Sequence, residues 1–394
     1  SSLFMFFTSI APAITFAAVL VDATKENGLS QLGPVEVLLS TALTGVIFSC
    51  IGGQPLCIVG VTGPVSIFTI ACFNVARAMG IAFLPFYACV QLWAALMHMV
   101  LAATGACSAV KLVSRFSCET FGMLIATIYI VTGCTNLAGY FAEKSSAPAL
   151  LSLVLGLGTT WLALTLSNAR AWSAFSSRVR STIADYAAFV ACSIFCLLPY
   201  LGNLVYLTPS GCTHGCAGNE TIATLQVPVT FGPTAAGRSW LVSVGDCPAV
   251  GVAAALPLAI FLTVLFFFDH NVSSILCQAP EYGLRKGSAY HWDFFVVGFM
   301  IFVTGMLGLP PVNGLIPQAP LHTDSLCEKV FQREKDGRKV EVVAKCHEQR
   351  VSGLVQAVLI GLTLTVINSV GKLPIAALDG LFLFMGIASF GGNT

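Results

Sequence analysis

Asp269-His270-Asn271 follows a long apolar stretch, Ala253 to Phe268, and some forty residues later comes Gly308-Leu309-Pro310-Pro311-Val312-Asn313-Gly314-Leu315-Ile316-Pro317-Gln318. Ionisable groups at the edge of a bilayer-length helix are costly. A hydrophobic segment broken by Pro and Gly is what a membrane protein uses where unwound backbone must face a solute. The combination points to a solute pathway, not a membrane anchor. A second interrupted segment, Ile58-Val59-Gly60-Val61-Thr62-Gly63-Pro64-Val65-Ser66-Ile67-Phe68, reads as an extended stretch and then a helix starting near Gly63-Pro64. Proline suits a first helical turn because its missing N–H would be unpaired there anyway. Pro311 to Ile316, followed by Pro317-Gln318-Ala319, has the same grammar. If the two helix N-termini meet at the bilayer midplane, each brings roughly half a positive charge. Together with their unpaired N–H groups they could hold a monoanion without Lys or Arg. The plain alternative is two ordinary helices with kinks. His98 reads as a hydrogen-bonded bundle residue, and Asp379 as a carboxylate near the start of the last span that reaches water.

The elements that must position these residues follow from composition. Hydrophobic residues are 56% and charged residues 9% of the 394, against about 25% charged in a soluble domain. Mean hydropathy is +0.85. The fold class is therefore an all-α polytopic membrane protein. A net charge of +1 with no basic cluster among aromatics leaves nothing to bind nucleic acid. Seven of the fifteen cysteines (Cys50, Cys57, Cys72, Cys89, Cys134, Cys192 and Cys196) lie inside apolar runs and read as small buried hydrophobes. Cys212, His214 and Cys216 cluster without a fourth ligand, so no metal and no cofactor is expected. No nucleophile–base pairing stands in the loops, which argues against an enzyme. The apolar start, without a basic leader or cleavage site, reads as truncated.

Apolar spans long enough for about 30 Å of hydrocarbon are read at 3–21, 35–51, 83–106, 118–140, 149–167, 183–202, 250–275, 292–308, 351–369 and 374–390, with broken segments at 54–73 and 309–326. The broken segments are third and tenth, the spacing of a seven-plus-seven inverted repeat. With the N-terminus cytoplasmic, fourteen Lys and Arg fall inside and five (Lys25, Arg77, Lys144, Arg238, Lys372) outside, a positive-inside bias. Loop 203–247 then faces out, with the glycosylation acceptor Asn219-Glu220-Thr221. Cys212, Cys216 and Cys247 allow one disulfide there, of a pairing the sequence leaves open. Asn271-Val272-Ser273 reads as a chance match. Loop 324–349 reads as a charged cytoplasmic connector.

Several runs resemble the bicarbonate-transporter family, which includes the anion exchangers and the boron transporters. They are Ser9-Ile10-Ala11-Pro12-Ala13-Ile14-Thr15-Phe16, Gly53-Gln54-Pro55-Leu56 with Thr62-Gly63-Pro64, Lys286-Gly287-Ser288-Ala289-Tyr290-His291-Trp292-Asp293 and Glu348-Gln349-Arg350-Val351-Ser352-Gly353-Leu354. Phe268-Asp269-His270-Asn271-Val272-Ser273-Ser274 and Gly308-Leu309-Pro310-Pro311, with Asn313-Gly314, Pro317-Gln318 and Pro320-Leu321-His322-Thr323, are most similar to the boron transporters of plants and fungi. The resemblance sets Gln318 where chloride/bicarbonate exchangers carry arginine, and Asp269 where they carry glutamate.

The resemblance implies fourteen segments, a core (1–4 and 8–11) and a gate (5–7 and 12–14), and a homodimer formed through the gate. On that frame, 1–106 is core, 107–202 gate, 203–247 an extracellular loop and 248–370 core with the cytoplasmic loop 324–349. Residues 371–394 begin the segment-12 region, and segments 13 and 14 are absent, as expected of a piece of a longer protein. The implied activity is secondary transport of borate at the plasma membrane, by rocking of core against gate, coupled to a proton or cation. A bicarbonate transporter or anion exchanger is the alternative. A passive anion channel is disfavoured because no charge ring or filter-like repeat is present. The substrate site would comprise Thr15, Phe16, Thr62, Gly63, Asp269, Asn271, Ile316 and Gln318. Asp269 would be the coupling group, because a carboxylate repels an anion unless a proton or cation neutralises it.

Overall fold

The computed structural model describes all residues except 27, 113–114, 202–221, 226, 229–230, 236, 317, 334–338 and 392–394. Asn219, Cys212, His214 and Cys216 therefore lie outside the described residues. The chain opens with α1 (Ser2–Ala23), a tight turn made by β1 (Lys25–Glu26) and β2 (Leu29–Ser30), and α2 (Pro34–Ile51). The first broken segment follows as β3 (Val59–Gly60) and α3 (Gly63–Ala78). Then come α4 (Phe83–Ala103), α5 (Arg115–Glu143), α6 (Ser146–Ser167), α7 (Ser177–Asp185), α8 (Ala187–Leu197), α9 (Ala249–Cys277) and α10 (Tyr290–Met306). The second broken segment is β4 (Asn313–Gly314) and α11 (Gln318–Ser325), and β5 (Cys327–Arg333) and β6 (Lys339–Cys346) precede α12 (Val351–Thr363), α13 (Ile367–Val370) and α14 (Ile375–Gly391).

Among the described residues seven helices are long and apolar enough to cross a membrane, or eight if the α7–α8 pair, bent by 65°, counts as one span. Three shorter apolar helices, Gly63–Ala78, Tyr290–Met306 and Ile375–Ala388, complete the set. The span expected at 183–202 is thus two pieces. α7 carries Arg178, Arg180 and Asp185 and cannot follow α8 into hydrocarbon; Arg170 pairs with Asp185 at 2.6 Å instead. The expected connector 324–349 contains an antiparallel hairpin, with Cys327 opposite Cys346 and Arg333 opposite Lys339. Alternating Val and charged residues in Lys339-Val340-Glu341-Val342 favour that strand over a loose coil.

The helices pack as two bundles. In one, α4 lies against α9 and α10, α2 against α12, and α1 against α2 and α12. In the other, α14 lies against α5 and α6, and α6 against α8. In lipid the gain comes from close van der Waals packing, and small residues permit it. A Cβ on Gly380 would fall 2.1 Å from the Gly156 carbonyl oxygen, and Thr160 Oγ1 donates to Gly380 O at 2.9 Å. α1 touches both bundles, contacting α14 and α8 as well as α2.

A buried ion pair ties the segment before α9 to the first bundle. Glu36, in the first turn of α2, accepts from Gly33 N at 2.9 Å, Thr234 N at 2.8 Å and Thr234 Oγ1 at 2.5 Å. Arg238 Nη1 lies 3.6 Å from the Glu36 carboxylate, with side chains 5% and 0% exposed. Arg238 also donates to Gln31 O at 3.2 Å and to Leu307 O and Gly308 O at 2.8 Å each. Burial pulls the guanidinium below its ordinary value, and the Glu36 carboxylate opposes that drop. Removing one partner strands the other charge, so Arg238→Met should cost about 3 kcal/mol. In thermal unfolding of the detergent-solubilised protein its midpoint should fall well below that of Arg77→Met, where the residue is exposed.

Candidate functional site

The two broken segments pair with each other. β3 and β4 form a two-residue antiparallel ladder, Val59 opposite Gly314 and Gly60 opposite Asn313, and Leu315 N donates to Ile58 O at 2.7 Å. Each segment supplies backbone partners that lipid cannot. The first strand leads into α3 and the second into α11. Asp293 holds the approach to β3, its carboxylate accepting from Gly53 N and from Gln54 N.

Asp269 stands beside the ladder. The sequence reading put it at a helix edge; α9 instead runs on to Cys277, and Asp269 is 1% exposed. The helix continues through the polar run, with Asp269 and Ser273 facing the broken segments. Ser273 Oγ, one turn on, donates to Leu315 O at 3.3 Å and lies 3.4 Å from Cys57 Sγ. Asp269 Oδ2 accepts from Thr62 Oγ1 and from Asn313 Nδ2, both at 3.3 Å. One carboxylate oxygen therefore joins the first broken segment to the second. Asn313 Oδ1 takes the Gly314 N–H at 2.8 Å, which orients its amide.

Thr62 occupies the N-cap position of α3 but makes no side-chain cap bond to that helix. Threonine at an N-cap ordinarily satisfies one of the first free N–H groups; here its hydroxyl is spent on Asp269. Tyr129 of α5 comes from the other bundle to the same helix end, where its ring packs against Gly63. A Cβ on Gly63 would sit 2.4 Å from Tyr129 Cε1, so no larger residue fits without moving the ring. Phe16, Tyr129 and Phe382 form an aromatic cluster across the two bundles, with centroids 5.8, 5.3 and 5.7 Å apart.

Other expected site residues lie differently. Thr15 Oγ1 donates to Ala11 O at 2.7 Å, so its hydroxyl proton is held within α1. Asn271 Nδ2 donates to Phe267 O at 2.7 Å; two residues past Asp269, it stands about 200° around the helix, off the Asp269 face. Its side-chain oxygen and both ring nitrogens of His270 are buried without a hydrogen-bond partner among the described residues. Ile316 is half-buried. Gln318, first residue of α11, sends Nε2 to Thr8 O at 3.3 Å. The reason lies in α1: Pro12 has no N–H for the carbonyl four residues back, and Gln318 supplies the missing donor. The second sequon cannot serve as an acceptor, because Asn271 and Ser273 are fully buried in α9.

Asp379, expected to reach water, is 2% exposed. It accepts from Asn136 Nδ2 at 2.7 Å and Tyr140 Oη at 2.8 Å, holding α14 to α5. His98 does behave as a bundle residue, with Nδ1 2.7 Å from Ala94 O and its ring stacked on Phe294 at 4.4 Å. Asn313 and Tyr129 escaped the sequence reading. Asn313 carried a signal, an amide inside a Pro/Gly-broken apolar run; Tyr129 carried none, being one aromatic residue among many in an apolar helix.

Residues 1–148 and 136–394 match the family described as HCO3- transporter integral membrane domain. The chain is 35% identical over 392 residues to boron transporter 1 of Saccharomyces cerevisiae, covering 97% of this chain and 64% of that protein. It is 34% identical over 400 residues to a putative transporter of Schizosaccharomyces pombe, covering 99% of this chain and 72% of that one. In structure it is similar to the transmembrane domain of a cyanobacterial bicarbonate transporter, BicA, with a TM-score of 0.60 at 17% identity over 98% of this chain and 88% of that one. That likeness shows the fold: the seven-plus-seven inverted-repeat transporter architecture, with discontinuous third and tenth segments.

The Gln318 bond predicts a coupled pair of effects. Gln318→Ala should destabilise the protein by about 1 kcal/mol by leaving the Thr8 carbonyl unpaired. In a Pro12→Ala background, where residue 12 regains its N–H, the same substitution should cost clearly less. A double-mutant cycle on unfolding midpoints reads the difference.

Proposed function

Because the chain belongs to the HCO3- transporter family, we propose that it is a secondary active transporter that carries borate across the plasma membrane by rocking one helical bundle against the other. The observation that carries this reading is the N-terminus of α3. Its N-cap hydroxyl is turned away to Asp269, and a tyrosine ring from the opposite bundle packs against its first residue, Gly63. A helix end buried without its own caps suits an anion. On this reading Tyr129 occupies the place of a substrate oxygen when the bundles are closed, and withdraws when they part.

In this proposal α1–α4 and α9–α12 are the core, and α5–α8 with α14 the gate. The site is built by Thr62 and Gly63, by Asp269 with Asn313, and by Gln318 and Ile316 at the start of α11. Phe16 forms its aromatic wall, and Thr15 and Asn271 shape the helices that carry it. Borate offers hydroxyl groups that both donate and accept. The Thr62 hydroxyl, the Gln318 amide and backbone N–H groups complement it better than a single fixed cation would. The yeast relative named a boron transporter supports borate as the substrate. The description of the family supports bicarbonate as the second reading.

Asp269 must be neutralised before an anion can enter beside it, so a proton or a cation travels with the substrate. The protein is further proposed to be a homodimer with a cytoplasmic N-terminus and a glycan on Asn219. In proteoliposomes, uptake of boric acid/borate should saturate, accelerate with counter-substrate on the far side, and depend on pH or on a cation. Asp269→Asn should lose that dependence; a variant that keeps it would sink the coupling assignment. Bicarbonate and chloride run in parallel, and bicarbonate uptake without borate uptake would establish the second reading.

A further inference from the structure

The hairpin after α11 places two thiols where they can join. Cys327 and Cys346 are cross-strand partners at its base. His347 N donates to Leu326 O at 3.0 Å, which makes the neighbouring Cys327–Cys346 pair a non-hydrogen-bonded position. There Cα atoms approach to about 4.5 Å, inside the range of about 4.4–6.8 Å that a disulfide bridges. Both thiols also converge on one atom, with Cys327 Sγ 3.1 Å and Cys346 Sγ 3.9 Å from Thr323 O. By contrast Cys192 and Cys196, 3.8 Å apart, stand one turn apart on one helix, where a bond would tether nothing.

The pair is within reach of solutes. Both residues are partly exposed, and Cys346 lines a hollow of about 430 Å³ together with Arg285, Lys286, Lys345 and Glu348. Burial, reinforced by the hydrogen bond with Cys327 and by the nearby acids Glu348 and Asp324, pushes the Cys346 thiol up to about 12. Little thiolate therefore forms at Cys346, which suits it to the resolving role and not to the first attack.

The location gives the bond a consequence. Thr323 lies in the last turn of α11, the half-helix that begins with Gln318. Its neighbour His322 donates from Nδ1 to Leu56 O of the first broken segment at 2.8 Å and pairs through Nε2 with Ser352 Oγ at 2.5 Å. Ser352 in turn accepts from Gln349 Nε2 at 2.5 Å, three residues beyond Cys346. A bond between the sulfurs would clamp the end of α11 to the start of α12, beside this network.

We propose that Cys327 and Cys346 are a reversible disulfide site that restrains the half-helix α11 when oxidised. With a peroxide as oxidant, the Cys327 thiolate attacks a peroxide oxygen and one proton is taken up, giving a sulfenic acid on Cys327 and one water. The second thiol attacks the sulfenic sulfur, the S–S bond forms and a second water leaves. Two thiols lose two electrons, and one peroxide is reduced to two waters. A dithiol reverses the bond by exchange. On the face that the charge bias assigns to the cytoplasm, such bonds are transient and regulatory, not structural.

The cross-link stands apart from the transport reading; only its effect on flux rests on that reading. The test treats the full chain in detergent with hydrogen peroxide, blocks remaining thiols, digests it and maps peptides by mass. The expected result is a peptide pair joined through Cys327 and Cys346 and released by dithiothreitol. In liposomes, oxidation should lower maximal borate or bicarbonate flux about threefold; dithiothreitol should restore it, and Cys327→Ser and Cys346→Ser should be insensitive. Separate alkylation of both cysteines after peroxide, or their separate conversion to sulfinic acids, would overturn the site. A mapped disulfide with unchanged flux would overturn the restraint on α11. A reduced protein that carries no anion would instead count against the transport reading, and the peptide map would still decide the disulfide.

Discussion

Hydrocarbon offers no partner to a bare peptide group, and the two interrupted segments meet that constraint by bonding to each other. The ladder of Val59 and Gly60 with Gly314 and Asn313 lets both chains be non-helical deep in a bundle. Asp269 then fixes the crossing by accepting from Thr62 and Asn313. Without that pairing neither α3 nor α11 could begin in the interior. Pro12 raises the same demand on a smaller scale, and the Gln318 amide answers it.

The second bundle meets this assembly through aromatic contacts, among them Phe7 with Phe189 and the cluster around Phe16. Phe16 belongs to α1 while Tyr129 and Phe382 belong to α5 and α14, and their ring faces and edges touch at centroid distances under 6 Å. Ring contacts of this kind separate without leaving a charge stranded. Interactions inside the bundles are of another kind. Asp379 with Asn136 and Tyr140 in one, and Glu36 with Arg238 in the other, are buried polar clusters that are costly to break.

The spans were legible because a length of apolar sequence has few alternatives in a membrane: among the described residues seven helices are long and apolar enough to cross one, and the two broken segments are short ladder strands that lead into α3 and α11. The α7–α8 bend was not read, because a short amphipathic helix and a loop share a charged composition. The hairpin at 327–346 was not read either, since its pattern is brief and is interrupted by a run of charges. Asp269 was singled out correctly as an ionisable group in an apolar setting but placed at a helix end. Hydropathy averages over residues and cannot tell a helix that stops from one that turns a polar face inward.

The sequence by itself determined the membrane class, the two breaks and the acidic residue beside one of them, because each is written in local composition: Gly and Pro permit or forbid backbone shapes, and a carboxylate among Phe and Leu stands out. Only the tertiary structure decided that the breaks pair, that Thr62 turns its hydroxyl to Asp269 instead of its own helix, that Gln318 serves the carbonyl freed by Pro12, and that Tyr129 covers the N-terminus of α3. Those are contacts between residues tens to hundreds of positions apart. No single stretch of chain carries the information about which of its donors will find which distant acceptor, since that choice is made by the packing that brings them within hydrogen-bond reach.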